Sequence, residues 1–166
     1  MKLIGLTGHK GAGKDEVAKL LAEHGYERIA LADPLKAIAT VIGWDGDKSE
    51  KLPCHHCGML QGRQLLQVLG TEGVREHISS EAWLTAAERL LGQHERVVVA
   101  DIRFLNEATW VRRLGGRIWR VLRPGYHGDG HASEREQDAI RADLSLLNDT
   151  TLEHLAMAVR VGLSSH

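Results

Sequence analysis

The first 24 residues constrain the fold of this chain more than any other segment. An apolar run at Lys2–Thr7 predicts a buried β-strand, and the glycine-rich stretch Gly8–Lys14 follows it directly. The apolar spacing of Lys14–His24 then predicts an amphipathic helix that stops at Gly25. A strand that turns through glycines into a helix is the opening unit of an α/β fold with a parallel sheet.

The same alternation continues to the end of the chain, without an internal repeat or a linker. Further strands are predicted at Arg28–Ala32, Arg96–Ala100, Arg117–Leu122 and Leu144–Leu147. Helices are predicted from Asp33 onward, at Arg63–Leu69, Glu81–Leu91, Asn106–Leu114 and Glu134–Ala142, and after Thr150. The sequence therefore predicts one α/β domain over residues 1–166, doubly wound around a mainly five-stranded parallel sheet.

Two helix starts carry capping signals, and one segment carries almost none. Asp33 is expected to cap a helix that has Pro34 in its first turn, and Thr150 with Glu153 has the spacing of a capping box. The segment Gly43–Gln61 shows little periodicity of either kind. Its structure is therefore left open.

Charge and composition exclude several classes of function. The 21 basic and 22 acidic side chains nearly cancel, so no overall field draws the chain to nucleic acid or to an anionic membrane. The sequence contains no apolar run long enough for a membrane helix and no signal-peptide pattern, which indicates a cytoplasmic protein.

The chain has only two cysteines, and their spacing does not form a disulfide framework. Both lie in Cys54-His55-His56-Cys57, a single Cys-x-x-Cys that supplies two of the four ligands zinc requires. A structural metal and a reduced turn both remain open for this segment.

The glycine-rich stretch matches the Gly-x4-Gly-Lys phosphate-loop pattern between a strand and a helix. Glycines allow backbone N–H groups to turn toward phosphate oxygens, and the helix N-terminus adds its dipole. Lys14 is expected to reach the β and γ phosphates of ATP. The alternative is a glycine turn that only joins strand to helix. The loop residues predicted to bind ATP are Gly8, His9, Lys10, Gly11, Ala12, Gly13, Lys14 and Asp15.

Two aspartates are candidate Mg²⁺ ligands, directly or through water. Asp15 stands where the pattern normally has a serine or threonine, and a carboxylate can hold Mg²⁺. Asp15 can equally be an acidic residue of the first helical turn. Asp101 ends the valine-rich strand, where parallel strands direct ligands into the binding crevice, although it can instead cap the following turn.

Several ordered segments resemble the deoxynucleoside monophosphate kinases of the bacteriophage type, a branch of the P-loop NTPases. The matching segments span almost the whole chain. They are Gly-Lys-Asp at 13–15, Ala-Asp-Pro-Leu-Lys at 32–36, Arg-Gln-Leu-Leu-Gln-Val-Leu-Gly-Thr-Glu-Gly-Val-Arg at 63–75, Asp-Ile-Arg-Phe-Leu-Asn-Glu-Ala at 101–108, His-Ala-Ser-Glu at 131–134, and Asn148. The segment 54–62 matches that family least.

The resemblance implies a P-loop kinase core with a helical acceptor-binding region at 34–92. The polar, glycine-containing segment 123–135 would suit a lid that excludes water, and a plain surface loop is the alternative. It implies ATP and Mg²⁺ and the conversion of a deoxynucleoside monophosphate into the diphosphate. Phosphoryl transfer needs cations around the transferred group. The residues expected in catalysis are Lys14, Arg103, Arg123 and Arg135. Those expected to bind the acceptor are Asp33, Lys36, Arg63, Gln67, Arg75, Asp101, Arg103 and Glu107.

Other functions remain open at this stage. The arginines can be ordinary surface or ion-paired residues. Asp33 and Lys36 can have a purely structural role at the start of a helix. A dephospho-coenzyme A or phosphomevalonate type of kinase would share the fold, and a non-catalytic nucleotide-binding domain would keep the loop as scaffold. The expected partners are small nucleotides, and a homodimer is left open.

Overall fold

The computed structural model describes residues 1–54, 58–126 and 132–165. The chain divides into two compact units, one formed by Met1–Ala30 with Leu90–His166 and the other by Leu31–Arg89. The second unit nearly coincides with the region 34–92 in which helices and an acceptor site are expected. Within the described residues, no helix has both the length and the apolar character needed to cross a lipid bilayer.

The first unit contains a five-stranded sheet in which every neighbouring pair is parallel. The strands are β1 (Lys2–Thr7), β2 (Glu27–Ile29), β5 (Arg96–Val99), β6 (Arg117–Leu122) and β7 (Leu144–Leu147). Their order across the sheet is β2-β5-β1-β6-β7. All five overlap the predicted strands, although β2 ends three residues before the predicted Ala32, which already belongs to the following helix. Strand β1 lies at the centre with the carboxyl ends of β5 and β6 on either side.

The central strands are apolar because both faces of the sheet are covered. Val97, Val98 and Val99 of β5 are completely buried, which is the pattern of a parallel strand between two helical layers. On one face, α1 (Lys14–Glu23) and α7 (Leu152–Ser164) pack in a cluster with alternate residues of β1, β5 and β6. On the other face, α5 (Leu105–Arg113) approaches β1 so closely that a Cβ on Gly5 would lie 3.2 Å from Val111. The predicted doubly wound class is confirmed.

The second unit is mainly helical. Its helices are α2 (Ala32–Val41), α3 (Gly62–Gln67) and α4, which starts in it (Ala82–Leu91). From α3 the chain continues as a π-helical segment, Val68–Glu76, which we call the π segment. Gly70 lets this segment approach α2, since a Cβ there would lie 2.7 Å from Leu35, and Trp83 donates a hydrogen bond to the Gly70 carbonyl at 3.1 Å.

The structure corrects the expected helix starts. Helix α2 begins after Leu31, so Asp33 lies in its first turn and does not cap it; the carboxylate contacts Lys36 Nζ at 3.1 Å instead. At α7 the capping side chain is Thr151, whose hydroxyl accepts from the N–H of His154 at 3.4 Å. Both predictions were displaced by one or two residues. At α7, Thr150 and Thr151 both have capping chemistry and only backbone geometry selects between them, whereas α2 begins without a side-chain cap.

One hairpin was missed, and one predicted helix is displaced. An antiparallel hairpin of β3 (Lys51–Cys54) and β4 (Gly58–Gln61) lies in the segment left open by the sequence; residues 55–57, with the central histidines and Cys57, lie outside the described residues. Helix α6 (Ala132–Ala139) starts and ends earlier than the predicted Glu134–Ala142. The five residues before it, within the predicted lid, also lie outside the description.

Candidate functional site

The loop between β1 and α1 is built on left-handed glycines. Gly8, Gly11 and Gly13 have φ of 138°, 81° and 103°, values that L side chains rarely adopt. The Ala12 N–H bonds the His9 carbonyl at 3.2 Å, and Gly13 occupies the N-cap of α1. The predicted sequence of strand, glycine loop and helix is therefore confirmed, with the helix N-terminus opening onto the loop.

Steric contacts as well as backbone angles require glycine at Gly8 and Gly13, because a Cβ would clash with neighbouring atoms. A Cβ on Gly8 would lie 2.3 Å from the Val121 carbonyl oxygen at the end of β6. A Cβ on Gly13 would lie 2.3 Å from the side-chain nitrogen of Asn148, which itself donates to the Ala12 carbonyl at 2.9 Å. The loop is thus held from outside by β6 and by the turn after β7, and its curvature suits a phosphate cradle.

Substitution of Gly8 by alanine tests this support. Gly115→Ala is the matched control, because Gly115 has φ of 78° with no atom within 4 Å of its would-be Cβ. In the control, the free energy of unfolding should fall only by the cost of a left-handed alanine, roughly 1–2 kcal/mol. Gly8→Ala adds a clash with a backbone oxygen, so we expect a loss of unfolding free energy of roughly 3 kcal/mol or more and weaker ATP binding. Denaturant unfolding and ATP titration measure both; equal losses in the two variants would contradict the steric account.

Lys14 is held inside the loop by backbone carbonyls. Its ammonium donates to the carbonyl oxygens of Gly8 at 2.5 Å and His9 at 2.9 Å. An ammonium has three donors, and these two bonds fix its position on the loop. A half-buried cation on the inner side of a glycine cradle is the group that a polyphosphate requires.

Arg123 reaches the same loop from the end of β6. Its guanidinium lies 3.4 Å from the Gly11 carbonyl and 4.6 Å from the centre of the Tyr126 ring, within cation–π range. The Tyr126 ring also fills the space beside Gly11, where a Cβ would lie 2.5 Å from it. The structure therefore brings together Lys14 and Arg123, two of the four predicted catalytic cations. The side chain of Arg135, on α6, lies outside what the structure describes.

The segment after β5 continues along the carboxyl ends of the neighbouring strands. The Ala100 N–H bonds the Ile29 carbonyl at 2.9 Å, and the Ile102 N–H bonds the Leu6 carbonyl at 3.0 Å. Asp101, partly exposed, lies between these two anchored residues at the end of the sheet from which the glycine loop also departs. This is the position from which a carboxylate in a parallel sheet can serve a metal–phosphate ligand.

Glu107 fixes the turn that carries Arg103. Its side chain is 2% exposed, and its Oε2 accepts from the backbone N–H groups of Arg103 at 2.7 Å and Phe104 at 3.1 Å. The carboxylate thereby satisfies orphan donors at the start of α5. The Arg103 side chain is exposed. By binding the backbone N–H of Arg103, Glu107 orients the turn from which the Arg103 side chain projects.

The two candidate metal ligands differ in their surroundings. The side chain of Asp15 is 80% exposed, in the first turn of α1, and lies 3.7 Å from Arg28. No group of three or more His, Cys, Asp or Glu side chains that could hold a metal occurs in residues 1–54, 58–126 and 132–165. Mg²⁺ bound with a nucleotide takes most of its ligands from phosphates and water, so one or two protein carboxylates fit this role.

Gln137 belongs to the site and was missed by sequence analysis. Its side chain is 5% exposed, and its Nε2 donates to the Gly8 carbonyl at 2.9 Å and the Ile102 carbonyl at 3.3 Å. A single glutamine in a polar helix has no periodic or motif signal. Asn148, which supports the loop, had been singled out only by its place in the resemblance.

The remaining predicted residues lie on the second unit. Lys36 pairs with Asp33 on α2, and Arg63 and Gln67 are exposed on α3. Arg75, on the π segment, lies 3.4 Å from the Ser80 carbonyl through Nη1. These side chains retain their expected acceptor-binding role as a prediction.

A protein-family model described as deoxynucleotide monophosphate kinase matches residues 56–159 of this chain. A protein of Acanthamoeba polyphaga mimivirus, provisionally named a deoxynucleotide monophosphate kinase, is 30% identical over 177 aligned residues. That alignment covers 92% of this chain and 91% of the viral protein.

Solved structures show the same fold at lower identity. TT1252 of Thermus thermophilus aligns with a TM-score of 0.57 at 24% identity, covering 98% of this chain and 96% of its own. The shikimate kinase of Aquifex aeolicus aligns with a TM-score of 0.60 at 14% identity, covering 99% and 97%. The dephospho-CoA kinase of Campylobacter jejuni aligns with a TM-score of 0.58 at 13% identity, with the same coverage. These likenesses confirm the predicted fold class.

Proposed function

The chain belongs to the deoxynucleotide monophosphate kinase family and is a phosphotransferase, and we propose that it transfers the γ-phosphate of ATP to a deoxynucleoside monophosphate. A phosphate oxygen of the acceptor attacks the γ-phosphorus of ATP. The bond between the γ-phosphorus and the β–γ bridging oxygen breaks at the same time. The products are ADP and the deoxynucleoside diphosphate.

The observation that carries the proposal is the geometry of the glycine loop around Lys14. The Gly8 and His9 carbonyls hold the ammonium on the loop, in position to offset the charge that develops on the transferred group and on the leaving ADP. Phosphoryl transfer depends mostly on such preorganised cations and on alignment, with little covalent help from the protein.

Two arginines extend the positive surface at the donor side. Arg123 lies against the loop at Gly11, and Arg103 projects from a turn that Glu107 fixes. Both are exposed, so they can turn their planar guanidinium groups toward phosphate oxygens in a bidentate arrangement. We assign charge stabilisation in transfer to these two residues and to Arg135 of α6.

Asp101 and Asp15 are the proposed protein ligands of Mg²⁺, directly or through water. The metal would neutralise charge on the β and γ phosphates of ATP. Asp101, anchored at the end of β5, is the principal candidate. Asp15 is more exposed and already faces Arg28, so we assign it the lesser part.

We assign acceptor binding to residues of the second unit. In the first unit, Asp101, Arg103 and Glu107 keep the acceptor-binding role that the resemblance implies for them. The second unit supplies cations for an acceptor phosphate in Lys36, Arg63 and Arg75, with Asp33 and Gln67 for polar contacts. Its π segment, which carries Arg75, supports this assignment because π-helical backbone is rare and is frequent at functional sites.

The segment 123–135 is the proposed lid, which would exclude water because hydrolysis competes with transfer. The near balance of charge favours nucleotides in solution over nucleic acid or a membrane as partners. A cytoplasmic location fits the same composition.

A coupled assay of ADP release, run with each of the four common deoxynucleoside monophosphates, tests the proposal. Dephospho-coenzyme A and phosphomevalonate are tested separately as the acceptors that the alternative assignments would predict. We expect acceptor-dependent ADP release with at least one deoxynucleotide and none with the other two compounds. Release with neither group, or only with a compound from the second, would overturn the assignment of the acceptor.

A further inference from the structure

Gln137 connects two parts of the donor site that are far apart in sequence. The Gly8 carbonyl, which receives one bond from its amide nitrogen, begins the glycine loop. The Ile102 carbonyl, which receives the other, lies between Asp101 and Arg103. An amide nitrogen has two hydrogens, so one side chain can serve both carbonyls at once.

The same Gly8 carbonyl also receives the ammonium of Lys14. Gln137 and Lys14 therefore share one acceptor, and the position of that oxygen is set by the amide as well as by the loop. Because Gly8 and Gln137 are both buried, water is not available to replace the amide as a donor.

The backbone at Gln137 is itself fixed. Arg120 of β6 donates through Nη2 to the carbonyls of Gln137 at 3.0 Å and Asp138 at 3.4 Å, and also to that of Ile140. The cation thus binds the last carbonyls of α6, where it is favoured by the helix dipole. Because the end of α6 is anchored to the sheet, the Gln137 amide has a defined position, and its hydrogen bond fixes the Gly8 carbonyl of the loop.

We propose that Gln137 is a positioning residue for phosphoryl transfer, which holds the Lys14 ammonium and the Asp101–Arg103 turn in register through the Gly8 and Ile102 carbonyls. This inference rests on the proposed function of the same site. It assigns to α6 a role in donor binding that does not depend on which acceptor is used.

The test variant is Gln137→Met, which keeps the length and volume of the side chain but removes both donors. Loss of a buried donor opposite two carbonyls lets the loop oxygen and the ammonium shift. We expect kcat/KM for ATP to fall about 10- to 100-fold, through weaker MgATP binding as well as a lower kcat, with the KM for the acceptor unchanged. Ala139→Met, an exposed change on the same helix, is the matched control and should stay within about twofold of the original protein.

A double-mutant cycle separates positioning from general stability. MgATP dissociation constants are measured by calorimetry for the original protein, Gln137→Met, Lys14→Met and the double variant, at a temperature where thermal scans show all four folded. If Gln137 acts through Lys14, the double variant binds MgATP no more than about twofold more weakly than Lys14→Met alone. Fully multiplicative losses, or no loss in Gln137→Met, would overturn the proposal.

If Gln137→Met unfolds at the assay temperature, Gln137→Asn replaces it, since its amide is one methylene too short to span both carbonyls. The same two outcomes then apply. The cycle reads ATP binding alone, so it remains decisive even if no deoxynucleotide acts as acceptor, and failure of the acceptor proposal is distinguishable from failure of this one.

Discussion

Lys14→Met is expected to lower kcat by about 1,000-fold while leaving the protein folded. The ammonium is the cation that the loop carbonyls hold on the inner side of the cradle, and it acts on charge that appears during transfer. Methionine fills similar space without charge or donors. Steady-state kinetics with saturating ATP and acceptor measure the loss, and circular dichroism with thermal unfolding verifies the fold.

Lys19→Met is the matched control for this variant. Lys19 lies on the same helix, is 70% exposed and pairs with Glu16 at 2.7 Å. An exposed pair of this kind contributes little to stability, so the control should retain its activity within about twofold. A Lys14→Met protein that is folded and keeps more than about a tenth of the original kcat would contradict the role assigned to the loop lysine.

Asp101→Asn should have the second largest effect, a fall in kcat of about 100-fold together with a higher Mg²⁺ concentration for half-maximal rate. The amide preserves the shape of the side chain but removes the charge that attracts a divalent cation. Rates measured across a Mg²⁺ titration at fixed ATP report both quantities. Loss of kcat with an unchanged Mg²⁺ requirement would argue that Asp101 serves the turn and not the metal.

Asp15→Asn, measured in the same titration, compares the two candidate ligands. Asp15 is exposed and faces Arg28. The fold reduction in kcat caused by Asp15→Asn should therefore be smaller than that caused by Asp101→Asn by a factor of about 10 or more. Asp149→Asn, an exposed aspartate before α7, is the control for any general effect of losing a charge. A larger effect at Asp15 than at Asp101 would reverse the assignment.

The sheet and the glycine loop could be predicted because their signals are local and strong. Buried strands such as Arg96–Val99 are nearly continuous runs of valine, and the loop pattern combines glycine spacing with a lysine at a strand-to-helix junction. For both, the physical requirement and the sequence pattern involve the same few residues. The structure therefore agrees with the sequence there to within one to three positions.

The missed features depend on contacts between distant parts of the chain. The hairpin at Lys51–Gln61 is short and largely exposed, so its strands lack an alternating apolar pattern. The π segment places Gly70 close to Leu35, a tertiary contact that no local propensity encodes. Gln137 is recognisable only when the Gly8 and Ile102 carbonyls are placed beside it by the tertiary fold.

The central claim is transfer from ATP to a deoxynucleoside monophosphate at the Lys14 loop. Its most direct test incubates the protein with ATP labelled in the γ-phosphate and each deoxynucleoside monophosphate, and then separates the nucleotides chromatographically. We predict labelled deoxynucleoside diphosphate with at least one acceptor, and none with the Lys14→Met variant. Label that appears only as inorganic phosphate, or that reaches the diphosphate equally well without Lys14, would contradict the account.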